Sequence, residues 1–359
     1  MRAARGMKLA VAVVAGVIAL SVTACSTSKN VSGGDDDEGS GKGLKVGLAY
    51  DIGGRGDKSF NDAAAAGLER VKKELKGSVG QVKELEANKD ETEKDKAERL
   101  KLLCKGGYNP VIAVGFVYAG NDPATGPLAT AAKECPDTKF GIIDDGTATA
   151  DNIANLVFAE EQGSFLVGVA AALKSKTKNV GFVGGCQVPL IKKFEAGYTA
   201  GVKAADPAAK VQVKYLSTPA QKCSGFNDPA AGKTAAEGQY DGGADIVYQA
   251  AGGSGGGVFQ AAQAKKKLAI GVDSDQYNTA DPAVRDVIIT SMLKRVDVAV
   301  FNFVKDVSDD AFKAGPTVFD LKSDGVGYST SGGQIDDIKS KLEDYKQQII
   351  DGKIQVPST

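Results

Sequence analysis

Beyond residue 43 the chain alternates short apolar runs with amphipathic stretches. The runs LKVGLAYD (44–51), VIAVGF (111–116), KFGIID (139–144), NVGFVGG (179–185), VQVKYLS (211–217), DIVYQAAG (245–252), LAIGVDSD (268–275) and VIITSML (287–293) are bounded by turn residues. Runs of this length and richness predict buried strands. Between them, NDAAAAGLERVKKEL, KAERLKLLC, EGSFLVGVAAALK, PLIKKFEAGYTAGVKAA and GVFQAAQAKKK place apolar residues three and four apart, the spacing of a helix with one buried face. A last helix carries Ile335, Ile338, Leu342, Tyr345 and Ile349 on one side. Strand and helix in regular alternation predict an α/β fold with doubly wound parallel sheets.

So many strands exceed one comfortable sheet, and the pattern divides them into two lobes. Residues 44–158 with about 294–312 form the first lobe, and 159–293 with about 313–359 the second. Ligands of open parallel sheets sit beyond the carboxyl ends of the strands. Two such lobes facing each other make a hinged cleft.

The N-terminus breaks this pattern. Arg2, Arg5 and Lys8 precede the apolar run LAVAVVAGVIAL (9–20), which is short for a bilayer span, and LSVTAC then sets small residues before Cys25. Residues 1–25 therefore resemble a lipoprotein signal peptide whose lipobox ends on Cys25, the thiol that would carry the lipid. The alternative is an ordinary secretory signal cleaved after Ala24. Residues 26–43, rich in Ser, Gly and Asp, have almost nothing to bury and read as a flexible tether reaching about 20–25 Å. The expected location is the extracytoplasmic face of a cell membrane.

Composition narrows the chemistry. The 359 residues contain no His and no Trp, and the net charge is -1. Serine triads, Cys–His pairs and imidazole-bound metals are excluded, and no metal or cofactor is expected. A nearly neutral chain gives no footing for nucleic acid. Carboxylate and lysine chemistry remain open. Besides Cys25, Cys104, Cys135, Cys186 and Cys223 are present. Outside the cytoplasm an even number points to disulfides, with three possible connectivities. Cys104–Cys135 and Cys186–Cys223 are favoured because each pair flanks neighbouring strand–helix units. Four free buried thiols are the alternative.

The stretch YDIGGRGDKSFNDAAAAGLERV (50–71) looks at first like a phosphate cradle. A Walker loop needs glycine directly before its Lys-Ser pair, yet Asp57 precedes Lys58. A carboxylate there repels phosphate. The stretch reads better as a tight turn, with Ser59 capping the next helix and Asp62 completing a capping box. That places Phe60 and Asn61 in the first turn, facing the crevice. An aromatic face beside an amide and a carboxylate suits a flat ring with neutral polar groups.

The words GLAYDIGGRGDKSFNDAAAAGLE, KFGIIDD, EEQGSFLVGVAAAL, GFVGGCQVPLIKKFEAGYTAGVKA, GFNDPAAGK, DIVYQAAGGSGGGVFQAA, IGVDSDQ and TSMLKRVDVAV resemble, in order, the basic membrane protein family of bacterial lipoproteins. The resemblance implies the type I periplasmic-binding-protein fold. It also implies the role of substrate-binding component of an ABC importer, with a permease and an ATPase as partners and a purine nucleoside as ligand. Phe60 and Phe226 match the two aromatics that sandwich the base. Asp51, Asn61 and Asp144 match positions near the base, and Asp273 and Lys294 match the ribose site, with Asp275 second to Asp273. Lys294 is alternatively a hinge salt bridge. Gly253 and Gly255, in AAGGSGGG (250–257), let backbone approach the sugar. The cysteines in GGCQVPL and CSGFNDP depart from the family's usual residues. The expected protein is a lipid-anchored monomer that binds without catalysis. Two other classes stay open: a nucleoside-sensing envelope regulator, and a nucleoside hydrolase using carboxylates and lysine. With no imidazole present, ligand affinity is expected to be nearly flat from pH 6 to 8.

Overall fold

A computed structural model describes residues 43–88 and 90–359, which form one compact unit. The signal peptide, Cys25 and the tether up to residue 42 lie outside the described residues. Twelve strands are present among them: β1 (Leu44–Ala49), β2 (Val79–Leu85), β3 (Val111–Ala113), β4 (Phe140–Ile143), β5 (Ile153–Phe158), β6 (Asn179–Gly184), β7 (Lys210–Tyr215), β8 (Ile246–Ala250), β9 (Leu268–Asp273), β10 (Ile288–Lys294), β11 (Gly315–Phe319) and β12 (Val326–Tyr328). They form two six-stranded sheets, ordered β11-β5-β4-β3-β1-β2 and β12-β10-β9-β8-β6-β7. Every pairing is parallel except that of β10 with β12.

The helices are α1 (Phe60–Glu74), α2 (Glu93–Lys105), α3 (Pro127–Glu134), α4 (Glu160–Lys174), α5 (Pro189–Ala205), α6 (Pro229–Asp241), α7 (Gly255–Lys265), α8 (Gln276–Thr279), α9 (Val296–Ser308) and α10 (Lys339–Ile350). They cover both faces of each sheet, so central strands are mostly apolar and do not alternate. All four residues of β4 and all five of β8 are buried. In the second lobe α4 and α5 pack at close range. A methyl at Gly197 or Gly201 of α5 would stand 2.1 Å or 2.0 Å from backbone carbonyl oxygens of α4. Only glycine fits there.

The chain crosses between sheets three times: from β5 through α4 to β6, from β10 through α9 to β11, and from β11 to β12. Helix α9 packs on α1, and α10 packs on α4. One boundary differs from the expectation. Residues 313–359 do not all join the second lobe, because β11 pairs with β5 over Gly315–Phe319 and extends the first sheet. Its exposed Pro316, Thr317 and Val318 mark an edge strand, and its partner is set by backbone pairing that local patterning does not reveal. The backbone of the three crossings is tied together: Ala159 N–H donates to Phe319 O at 3.0 Å and Arg295 N–H to Gly325 O at 2.9 Å.

Two disulfides are formed, Cys104–Cys135 in the first lobe and Cys186–Cys223 in the second. They close separations of 31 and 37 residues, each a restriction of the unfolded chain of about 3–4 kcal/mol.

Candidate functional site

The carboxyl ends of the two sheets face one cleft. Its empty volume, open solvent at its mouth included, is about 560 Å³. Of the residues singled out from sequence, Asp51, Phe60, Asn61, Asp144, Phe226, Gly253, Asp273 and Lys294 all line it. Gly255 does not. It opens α7, and a methyl on it would lie 2.4 Å from the side chain of Gln249, so its bareness serves packing beneath the turn. Asp275 is also elsewhere: β9 ends at Asp273, and Asp275 caps α8 and accepts from Asn278 and Ser331.

The opening turn is built differently from the capping box expected of it. Ser59 makes no side-chain cap. Asp57 does that work, accepting the N–H groups of Ser59 at 2.9 Å, Asn61 at 2.8 Å and Asp62 at 3.1 Å. Asp62 turns back instead to the N–H groups of Gly56 and Lys58. A carboxylate two residues upstream reaches several of the first free N–H groups of a helix at once, which a hydroxyl cannot do. Ser59 is thereby free to cross the cleft, and its hydroxyl donates to Asp273 Oδ2 at 2.6 Å. Ser274 and Gln276 of the second lobe donate to the carbonyls of Ser59 and Lys58, both at 3.0 Å. The turn is a contact between lobes as well as a wall of the cleft.

Asn61 has little capacity left for a ligand. Its Oδ1 accepts the Asp51 N–H at 3.1 Å, and its Nδ2 donates to Asp57 at 3.1 Å and Ile52 O at 3.4 Å. It ties the Asp57 carboxylate to the backbone of Asp51 and Ile52. Asp51 accepts the Ile52 N–H at 2.6 Å, and burial pushes its carboxyl up to about 6, against the pull of that N–H, Lys96 and Arg99.

Across the cleft, Asp144 and Asp273 occupy matching places, at the ends of β4 and β9, each third from the same edge of its sheet. Both are left-handed, with φ of +69° and +63°. Aspartate tolerates this conformation better than bulkier residues, and such strain concentrates at working sites. Lys294, at the end of β10, has a side chain only 1% exposed and donates to Asp144 Oδ2 at 2.6 Å. Its ammonium also lies 3.3 Å from Glu160 and 5.2 Å from the centroid of the Phe60 ring. Burial alone would lower its pKa, but Asp144, Glu160 and Asp273 together raise it, so the ammonium stays charged. Burial raises Asp144 and Asp273 despite that cation.

Glu160 opens α4 at the first crossing and Lys294 precedes the second, so the ion group sits on the hinge and in the cleft at once. Lysine 193 adds a second cation at 3.2 Å from Glu160. Asp144 lines the cleft, and its Oδ1 is buried and accepts no hydrogen bond, which leaves one acceptor without a partner. Among the described residues, no group of three His, Cys, Asp or Glu side chains is arranged to hold a metal ion.

The aromatic walls come from both lobes. Phe60 begins α1, and Phe226 lies in a short turn over Ser224–Asn227. Phe116 meets Phe226 edge-on, with centroids 6.5 Å apart. Sequence reading missed Phe116 and Phe194, which also line the cleft. Phe116 was assigned to a strand, but β3 stops at Ala113 and a 3₁₀ turn carries the ring. Its place just past a strand's carboxyl end was the available signal. The polar groups are mostly acceptors, so the arrangement suits a planar ring with N–H donors attached to a group rich in hydroxyls. The raised Asp51 also removes the basis for a flat pH response: a carboxyl near 6 titrates in the range that histidine would otherwise own.

Residues 44–359 match the model of a family described as ABC transporter substrate-binding protein, PnrA-like. The chain is 35% identical to the ABC transporter nucleoside-binding protein BmpA of Lactococcus lactis, over 88% of this chain and 89% of that one. It is 33% identical to a lipoprotein of Pyrococcus horikoshii, over 89% and 76%. Among solved structures, an ABC transporter solute-binding protein of Aeropyrum pernix superposes with a TM-score of 0.72 at 28% identity, covering 88% of this chain and 94% of that one.

Proposed function

We propose a nucleoside-holding role from one premise: this chain belongs to the PnrA-like family of ABC transporter substrate-binding proteins. The family consists of solute-binding proteins and not enzymes, which sets the hydrolase alternative aside. The solute we assign to this member is a purine nucleoside. The observation that carries the assignment is that Phe60 and Phe226 line a single cleft from opposite lobes, with Asp51 and Asp144 on the same lining and Asp273 with Lys294 beyond them.

A base stacked between two phenyl rings draws the lobes together, and each stack is typically about 1–3 kcal/mol. Asp51 and the unpaired oxygen of Asp144 accept from ring N–H and exocyclic amino groups. Asp273 accepts from a ribose hydroxyl, and Lys294 donates to ribose oxygens while holding the hinge acid. The nucleoside-binding name of the L. lactis relative supports the same reading. In the cell we place the body on the outer face of the membrane through a lipid on Cys25, delivering the nucleoside as a monomer to a permease with its ATPase. The lipoprotein name of the P. horikoshii relative supports that anchor.

The test is a calorimetric panel of inosine, guanosine, adenosine, uridine, free bases and ribose on the soluble body. One-to-one binding of purine nucleosides, tighter than of base or ribose alone and with the nucleoside recovered intact, is expected. Binding of ribose as tight as that of the nucleosides would overturn the assignment.

A further inference from the structure

Phe226 is carried by four residues of 3₁₀ turn between β7 and α6, too short a segment to hold a ring in place by itself. The two residues before the turn, Lys222 and Cys223, are both left-handed, with φ of +53° and +50°. Neither is glycine, so their conformation persists only where the surroundings impose it.

Those surroundings are specific. The Phe226 ring lies directly on Gly185, where a methyl would come within 2.3 Å of it. Ser217 donates to Gly185 O at 2.7 Å and accepts the Gly225 N–H at 3.0 Å, and Ser254 donates to Gly225 O at 2.7 Å. The one covalent link is the disulfide. Cys186 directly follows the glycine under the ring, and Cys223 stands three residues before the ring, with Cα atoms 5.1 Å apart. Both cysteines are buried.

We infer that the Cys186–Cys223 disulfide is a positioning element of the binding cleft, which holds the Phe226 ring against its seat before ligand arrives. A ring already ordered loses little freedom on stacking, so binding is tighter than for the same ring on a loose loop. The first-lobe disulfide is a built-in control: Cys104 lies in the last turn of α2 and Cys135 follows α3, far in the chain from Phe226 and from the glycine beneath its ring.

The affinity consequence rests on the nucleoside reading, but the positioning itself is measurable without ligand. The chain contains no tryptophan, so Phe226→Trp installs a single indole reporter. Its fluorescence anisotropy is expected to fall when C186A/C223A is added, and also on reduction of the disulfide-bonded form. It is expected to stay unchanged when C104A/C135A is added. In otherwise native protein, C186A/C223A is expected to weaken inosine binding about tenfold, and C104A/C135A less than twofold. Adding C186A/C223A to F226A is expected to change affinity less than twofold, because the ring it positions is gone; a purely structural effect would persist in that background. Unchanged anisotropy without the second-lobe disulfide, or an equal affinity loss in the F226A background, overturns the inference. A fall in anisotropy in a protein that binds no inosine supports the positioning and refutes the nucleoside reading alone.

Discussion

Replacing Lys294 by Met keeps the length and apolar stem of the side chain and deletes the ammonium. Asp144 then loses its only ion partner, 2.6 Å away, while Glu160 keeps Lys193 at 3.2 Å. Removing one member of a buried pair typically costs about 3–5 kcal/mol, and the partial compensation of Glu160 argues for the lower end, about 3 kcal/mol. With unfolding entropy of about 2.1 cal/mol/K per residue, a body of roughly 316 residues converts that to a Tm loss of about 5 °C. The pH dependence identifies the cause. Burial already raises Asp144 in the fold, and loss of the cation raises it further. A carboxyl raised in the folded state gives stability that is complete below its unfolded pKa and declines as pH rises through the folded value. The Tm deficit of K294M is therefore expected to be about 5 °C at pH 8 and to shrink to less than half of that at pH 5, measured by differential scanning calorimetry against native protein. A deficit equal at both pH values, or none at pH 8, would refute the ion group as described.

Further outcomes follow from the same geometry. Phe60→Ala and Phe226→Ala are each expected to weaken purine nucleoside binding by about 5- to 150-fold, the equivalent of one stack, with Tm changed little in the half-exposed Phe226 case; calorimetric titration reads both. If the ligand binds the ionised form of Asp51, whose carboxyl is raised to about 6, affinity is expected to rise about tenfold from pH 5 to pH 7 and then level off, and a profile flat across that range counts against Asp51 as an acceptor. Asp57→Ala removes three N–H acceptances from the start of α1 and is expected to cost about 2 kcal/mol in a urea melt, whereas Ser59→Ala is expected to leave the melt nearly unchanged and to weaken ligand binding through the lost bond to Asp273.

The alternation of apolar runs and amphipathic stretches was enough to reveal two wound sheets, because central strands such as β4 and β8 are buried on both faces and are mostly apolar, the buried Gln249 of β8 being hydrogen-bonded. Four strands escaped: β2, β5, β11 and β12. β2, VGQVKEL, has no fully buried residue and reads as a polar segment. β5 hides behind Asn155, a fully buried amide whose Nδ2 donates to the carbonyls of Asp145 and Ala148. The swap of β11 into the first sheet is decided by pairing with β5, far away in sequence.

In the site, residues recognisable as words of a family were found, while those whose role depends on a partner in space were not. Asn61 looks like a ligand reader in sequence but spends its amide on Asp51 and Asp57. Ser59 looks like a cap but reaches Asp273, 214 residues away. Lys294 reads in sequence as either a ribose contact or a hinge salt bridge, and the geometry puts it on the cleft lining while it pairs with Asp144 and with Glu160 at the first crossing.

The central claim is that a planar base lies between Phe60 and Phe226 with its sugar at Asp273 and Lys294. A crystal structure of the soluble body grown with inosine tests it most directly. The account predicts the purine stacked between the two rings, ring N–H groups facing Asp51 or Asp144, and ribose oxygens within hydrogen-bond reach of Asp273 and Lys294. Electron density for the nucleoside elsewhere, or a cleft whose two phenyl rings close on each other with no base between them, would contradict it.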